Sequence, residues 1–398
     1  MSNLLESVSL IEPMLPADGT KILEDLATDL IVKSYSLEAV VNPVITRNLA
    51  DLVRSMNCYY SNLIEGHHTH PRDIDRALAD DFAIEPKQKA LQLEAKAHIE
   101  VQRLIDYQIK PINVVSADYL CWLHREFCQR LPAEFLRLEN SQTGVEIQLQ
   151  PGKLRTGGVK VGSHLPISAE AIPRFLQRFE QAYNPKQFSK VRQVMAIAAS
   201  HHRLLWIHPF YDGNGRVARL FSHSFLKEIG LGNGLWSVSR GLARSVADYR
   251  RFLIGADQQR WNDWDGRGNL SAKGLNNFCQ FFLEVCRDQV DYMRSLLQPE
   301  QLLTRIELYI EEQIKLKLLP KKSFNLLREA LLSGEYERGK ASQITGYQER
   351  QARTVLNQLV KAGLLVSDTP RSAVRLGFPP QVVERYFPSL YPSFNLHS

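Results

Sequence analysis

The stretch His208-Pro-Phe-Tyr-Asp-Gly-Asn-Gly-Arg-Val-Ala-Arg219 constrains this chain most, because it sets an imidazole, a carboxylate, two glycines and two guanidinium groups on one short reversal. The run before it, from Lys190 to Ile207, carries Val191, Val194, Met195, Ile197, Ala198, Leu204, Leu205 and Ile207 close to helical spacing, which predicts a buried helix. Pro209 disfavours helical geometry for the residue before it and removes a backbone donor, so the helix ends there and His208 lies on a loop. Beyond Gly213 the helical period resumes through Val217, Leu220, Phe221, Phe225 and Leu226, and Gly230 stands where a glycine ends a helix.

The second helix therefore begins at Gly213-Asn214-Gly215. Unpaired N–H groups and the positive end of the helix dipole make such a terminus an anion site, and glycine lets a phosphate approach the backbone. Arg216 and Arg219 share a face of the first turn and can both reach an anion there, although a cation at this end opposes the dipole. That penalty fits a polyanionic ligand. Asp212 is a hard oxygen ligand of the kind Mg2+ uses beside substrate phosphates, and His208 suits a general base near neutral pH. Gly213, Gly215 and Ala218 also match the loose Gly-x-Gly-x-x-Ala dinucleotide fingerprint, but that motif needs a preceding strand, and here a helical run and His208-Pro209 precede it. A Walker loop fails for want of Gly-Lys-Ser/Thr.

The pattern His-Pro-Phe-x-Asp-Gly-Asn-Gly-Arg-x-x-Arg resembles the signature of the Fic (filamentation-induced-by-cyclic-AMP) family, with every defining position filled. The resemblance implies a nucleotidyltransferase, a protein adenylyltransferase that moves AMP from ATP to a Ser, Thr or Tyr hydroxyl of a protein. It assigns proton abstraction to His208, Mg2+ to Asp212, the α-phosphate to Asn214 with the Gly213 and Gly215 amides, and the β- and γ-phosphates to Arg216 and Arg219. Val217 and Ala218 complete the implied ATP-binding stretch.

Length suggests two or three domains. The resemblance covers roughly residues 40–290, and the expected organisation is an N-terminal helical region over 1–110, a catalytic domain over 111–297 and a separate C-terminal domain over 298–398. Cys58, Cys121, Cys128, Cys279 and Cys286 form no Cys-x-x-Cys pair and read as reduced core residues. The first residues lack a signal-peptide pattern and no apolar run approaches membrane-spanning length, so a cytoplasmic protein without a membrane partner is expected.

Residues 1 to about 40 read as an extended leader packed on the main body, with Pro13, Pro16 and a short helical pattern from Ile22 to Ile31. Between Thr46 and Glu65, Leu49, Leu52, Val53, Met56, Tyr60, Leu63 and Ile64 predict an amphipathic helix, stopped by Gly66. Glu65 closes it, where the dipole disfavours an acid, which calls for a cationic partner from elsewhere. In the resembled family Ser/Thr-x-x-x-Glu-Gly is an inhibitory motif whose glutamate pairs with the second motif arginine. Here that implies Ser61, Glu65 and Arg219, in an inhibitory helix over about 46–66. His67, His68 and His70 invite a metal reading, but no further ligand set stands near, and Pro71 starting a helix to Leu78 explains the stretch.

Helices are expected over Leu91–Ile109 and Ala117–Leu131. Val145, Ile147 and Leu149 then alternate with polar residues, Pro151-Gly152 turns, and Val159 and Val161 alternate again, which predicts a hairpin centred near Thr156-Gly157-Gly158. The family resemblance makes this a flap that docks an extended target segment by strand addition; the plain alternative is a surface hairpin. Trp236 to Cys286 reads as further helices with a loop at Asp263–Gly268, and Tyr249 and Asp257 are the candidates for adenine contacts.

Gln298-Pro299 marks a boundary and Leu302–Leu319 predicts a helix. Helical patterns over Phe324–Leu332, Lys340–Gly346 and Glu349–Ala362, then pairing of Leu364–Val366 with Ala373–Leu376, resemble a winged helix-turn-helix with Arg350, Arg353 and Lys361 on the recognition helix. From Lys321 onward there are 11 Lys/Arg against 6 Asp/Glu, most of the chain's net +6, which suits DNA; such modules equally dock proteins. The expected fold is mostly α: a Fic-type helical core, a small β-hairpin flap and the C-terminal winged helix. The rival functions are a nucleotide-sensing DNA-binding regulator, or a transferase or hydrolase of another phosphate-containing group.

Overall fold

A computed structural model describes residues 6–107, 113–139, 146–232 and 234–392. Ile109 and Val145, which belong to the patterns above, lie outside the described residues. The chain divides into two compact units, one of residues 1–34, 57–233 and 237–289, the other of residues 35–56, 234–236 and 290–398.

The helices α1 (Lys21–Val40) and α2 (Pro43–Ile64) each contribute residues to both units. Then follow α3 (Pro71–Leu78), α4 (Pro86–Asp106), α5 (Ala117–Cys128), the strands β1 (Arg137–Glu139) and β2 (Glu146–Gln148), α6 (Ile172–Tyr183), α7 (Lys190–Ile207), α8 (Asn214–Glu228), α9 (Val238–Arg244), α10 (Val246–Asp257) and α11 (Ala272–Leu297). Local chemistry sets most of these starts. Ser116 and Ser189 accept from the N–H groups of Tyr119 and Arg192 at α5 and α7, and Pro71 and Pro86 open α3 and α4 behind the caps His70 and Glu85.

Helices α7 and α8 pack on each other, with α6 against α7 and with α4 and α5 against α8. Phe179, Phe221 and Phe225 are fully buried there, the Phe221 ring 5.7 Å from that of Phe179 and 5.8 Å from that of Phe225. The leader packs on this unit as expected: Arg203 donates to the Pro13 carbonyl at 2.8 Å and the Tyr183 hydroxyl to that of Met14 at 2.5 Å. The short helical pattern after it is corrected to the 20-residue α1, because the buried stripe Leu23, Leu26, Ala27, Leu30 runs on through Ser34 and Leu37 at helical spacing.

The hairpin also needs correcting. Strand β2 pairs antiparallel with the earlier β1, Arg137 opposite Gln148, Leu138 opposite Ile147 and Glu139 opposite Glu146. The alternation at Val159 and Val161 belongs to a separate tight turn, in which Val161 bridges His164 around Gly162, at φ +58°. Between them the chain is irregular, turning at Pro151-Gly152 and bending at Thr156-Gly157.

The second unit holds α12 (Pro299–Lys315), α13 (Ser323–Ser333), β3 (Glu335–Tyr336), α14 (Ala341–Thr345), α15 (Glu349–Lys361), β4 (Leu365–Val366), β5 (Val374–Leu376) and α16 (Pro380–Tyr386). Its strands form one antiparallel sheet in the order β3-β5-β4. Helix α12 stops at Lys315, short of the expected Leu319. The apolar face of α15, Ala352, Val355, Leu356 and Leu359, is buried, and Arg350, Arg353 and Lys361 are exposed on the other side. Among the described residues no helix is long and apolar enough to cross a membrane.

Truncating Phe221 to Ala removes a ring from the α6–α7–α8 core. A loss of about 3–5 kcal/mol is expected, read as a lower urea midpoint for the transition of the first unit.

Candidate active site

The loop between α7 and α8 is held by unusual backbone geometry and one carboxamide. His208 caps α7 in the left-handed region, at φ 51° and ψ 63°, its N–H still bonded to the Leu204 carbonyl at 3.1 Å. Gly213 caps α8 at φ 79°. Between them Asn214 accepts from the Phe210 N–H at 3.0 Å and donates to the Phe210 carbonyl at 2.8 Å, which closes the loop and leaves one amide hydrogen of its side chain over. The Phe210 ring stacks on His124 with centroids 4.0 Å apart, and His124 Nδ1 accepts from the Gly152 N–H at 2.9 Å.

His208 is partly exposed at the loop surface. Burial disfavours its imidazolium, and the charge of Arg155 adds to that, so its pKa falls to about 4. The imidazole is neutral at physiological pH and carries the lone pair a base needs. Asp212 is exposed and, among the described residues, its carboxylate has no side-chain partner. An open carboxylate beside a helix N-terminus fits Mg2+, which takes one or two carboxylates and completes its shell with phosphate oxygens and water.

Both arginines of α8 are buried and both meet a carboxylate. Arg219, 2% exposed, donates from Nη2 to Glu65 Oε1 at 2.6 Å, from Nε to Ser61 Oγ at 2.9 Å and from Nη2 to the Ser61 carbonyl at 3.1 Å. The expected partner of Glu65 is therefore the one observed. Burial opposes ionisation of Glu65, but Arg219 and then Arg216 outweigh it and hold its carboxyl below its ordinary pKa. The Glu65 carboxylate lies over Gly215, where a Cβ would collide with it, so that glycine serves a close approach from outside the helix. At the end of α2, Arg250 donates to the Ile64 carbonyl at 3.3 Å.

Arg216 pairs with Glu94 of α4, and its guanidinium lies 5.5 Å from the Phe127 ring centroid. The other Glu94 oxygen is 2.6 Å from His67 Nδ1, and Arg216 Nη2 is 3.1 Å from the same nitrogen. His67 Nδ1 thus sits between the Glu94 carboxylate and the Arg216 guanidinium. Of its histidine neighbours, His70 caps α3 by accepting from the Arg72 N–H.

Sequence reading missed Glu94. Its signal lies in α4, where Glu94 and His98 interrupt the buried stripe Ala90, Val101, Ile105, since a charged residue on a core face needs a partner. Val217 and Ala218 face the core, and the Val217 N–H is taken by the Gly213 carbonyl. Tyr249 is buried: its hydroxyl is 2.7 Å from His201 Nε2 and beside Arg219, and burial raises its pKa. His201 Nδ1 meets Ser222 Oγ at 2.7 Å. Asp257 lies 3.0 Å from buried His202.

Residues 114–226 match the Fic/DOC family model. The protein adenylyltransferase Fic of Drosophila erecta is 34% identical over 97 residues, 24% of this chain and 20% of that protein; that of Drosophila melanogaster matches to the same extent. The chain thus spans about a fifth of the length of these relatives. A Fic family protein from Desulfovibrio desulfuricans G20 shares the fold with a TM-score of 0.53 at 18% identity, over 91% of this chain and 98% of that one. Fic-1 from C. elegans does so with a TM-score of 0.53 at 16% identity, over 70% of this chain and 74% of that one.

Burial also moves the pKa of His98 and His201 to about 3 and of His124 to about 4. With His208, these groups bind fewer protons folded than unfolded, so stability is complete above pH about 6.5 and falls as pH drops toward about 4. The urea midpoint at pH 5 is expected below that at pH 7.5, and His98→Gln, which removes one such group, should flatten the difference.

Proposed function

For a chain that carries a Fic/DOC family domain over residues 114–226, we propose protein adenylyltransfer: AMP passes from ATP to a Ser, Thr or Tyr hydroxyl of a protein, and Glu65 restrains the reaction. The reading rests above all on one observation, that the His208 imidazole, the exposed Asp212 carboxylate and two arginines are gathered about the loop and first turns at the N-terminus of α8.

His208 takes the proton of the target hydroxyl, whose oxygen attacks the α-phosphorus as the bond to the bridging oxygen breaks and diphosphate leaves. The amides at Gly213 and Gly215 and the free amide hydrogen of Asn214 face the α-phosphate, while Arg216 and Arg219 receive the β- and γ-phosphates. Asp212 would hold Mg2+, which when bound offsets charge on the phosphates. Tyr249 and Asp257 remain the candidates near the adenine. An extended target segment adds to the hairpin side of the domain.

Glu65 holds Arg219 away from the γ-phosphate, so ATP binds with its α-phosphate misaligned. A shift of about 1 Å can cost roughly 100-fold in rate. The second reading concerns the C-terminal module: its helix–strand–helix–helix–strand–strand order and the exposed cations of α15 favour a winged helix that contacts DNA.

Incubation with α-labelled ATP and Mg2+ followed by intact-mass measurement tests the chemistry, a gain of one AMP on the protein or a candidate target being expected. Glu65→Gly should raise incorporation at least about tenfold, or about 1.4 kcal/mol of barrier; equal incorporation with the fold intact would falsify the restraint. Arg219→Ala should not mimic it, since it removes the phosphate contact as well. His208→Ala should lower transfer by about 10²–10⁴-fold while ATP still binds. Loss of AMP from a modified target, without any gain, would favour the hydrolase alternative.

For the module, the full chain should bind duplex DNA with an affinity that falls steeply with salt. Arg350→Glu with Arg353→Glu should abolish the shift at low salt. No shift by the wild type at low salt leaves protein docking as the role of the module.

A further inference from the structure

Arg155 is 2% exposed and, among the described residues, forms no ion pair. A guanidinium taken from water without a carboxylate must satisfy its donors on neutral oxygens. It does so on three carbonyls: Nε donates to that of His208 at 2.8 Å, Nη1 to that of Gly157 at 2.9 Å and Nη2 to that of Ile167 at 2.5 Å. Its backbone N–H donates to the Pro209 carbonyl at 2.9 Å. Next to it, the N–H of Thr156 donates to the Tyr211 hydroxyl at 3.3 Å and the two hydroxyls lie 3.1 Å apart. Residues 155–157 are thus fastened along residues 208–211.

The residue they hold is under strain. A left-handed backbone costs an ordinary side chain about 1–2 kcal/mol, and it persists only where the surroundings over-determine it. His208 is fixed on both sides, its N–H by the Leu204 carbonyl and its own carbonyl by Arg155. With the backbone so set, the direction of the imidazole is left to its two side-chain torsions.

We propose that Arg155 is a positioning residue for His208: its guanidinium fixes the left-handed backbone that aims the imidazole at the target hydroxyl. The inference rests on the adenylyltransfer reading above. Arg155 touches none of the groups assigned to ATP, so its loss acts on the chemical step and not on nucleotide binding. Its positive charge also adds to burial in keeping His208 unprotonated.

The test compares Arg155→Lys and Arg155→Ala in the Glu65→Gly chain, with labelled ATP and a modified target or the chain itself as acceptor. For Arg155→Ala, kcat should fall about 100-fold, as expected for a base displaced by about 1 Å, with KM for ATP within about threefold. Arg155→Lys, which reaches only one of the three carbonyls, should fall between, and added methylguanidinium should restore part of the alanine variant's kcat. Unchanged kcat in both variants, or a change confined to KM, overturns the proposal. Should Arg155→Ala fail to fold by circular dichroism, Arg155→Lys carries the comparison. If the Glu65→Gly chain transfers no AMP at all, the adenylyltransfer reading falls, and a second measurement decides the role of Arg155. Carbethoxylation of His208 by diethyl pyrocarbonate, followed by peptide mass with exposed His68 as internal standard, should change at least about threefold in Arg155→Ala or Arg155→Lys. Equal rates overturn the positioning role.

Discussion

Two guanidinium groups lie almost out of water on α8, Arg216 in its first turn, where the helix dipole already repels it, and Arg219 in the next. Each must be neutralised, and much of the surrounding architecture follows. Glu94 reaches Arg216 from α4, and Glu65 reaches Arg219 from the end of α2. Ser61, one turn before Glu65, supplies both its hydroxyl and its carbonyl to Arg219. Gly215 is the concession on the α8 side, since any side chain there would push the Glu65 carboxylate away. Residues distant in sequence are thus committed to one small volume by the cost of an unpaired buried charge.

Hydrogen-bond direction extends the constraint behind Arg219. The Ser222 hydroxyl donates to the Ala218 carbonyl, so its oxygen accepts from His201 Nδ1. Burial keeps His201 neutral, its pKa near 3, so Nε2 is the acceptor and Tyr249 must donate to it. The tyrosine oxygen then turns its lone pairs toward Arg219. Every proton in the chain from Ala218 to Tyr249 has one place to be, and a guanidinium at its end is met by an acceptor.

The helix–loop–helix was legible because its signals are local: Pro209 ends α7, Gly213 starts α8 and Gly230 follows it. Glu65 stood out only weakly, as an acid at the wrong end of a helix; its pairing with Arg219 came from the family resemblance and not from the local signal. Arg155 was not legible, since nothing in its neighbourhood of sequence marks an arginine that will meet the carbonyl of a residue 53 positions on. The hairpin register failed on a related point. Alternation continues on both sides of Pro151-Gly152, and period alone does not say which stretch pairs with which. The paired partner, Arg137-Leu138-Glu139, is too short to show a period at all.

The two carboxylates differ in how readily they can be displaced, and the difference indicates where an incoming anion acts. The Glu94 side chain is 2% exposed and also holds His67, so removing it from Arg216 leaves an uncompensated buried charge, at a cost of about 3–5 kcal/mol. The Glu65 side chain is 31% exposed and is followed by Gly66 at φ +83°, a residue able to turn the chain. An anion arriving from solvent at the head of α8 therefore meets Glu65 first and competes with it for Arg219. To succeed it must leave that guanidinium as well neutralised as before. While Glu65 stays in place, backed by the hydroxyl and carbonyl of Ser61, the Arg219 guanidinium is already satisfied and closed to such an anion.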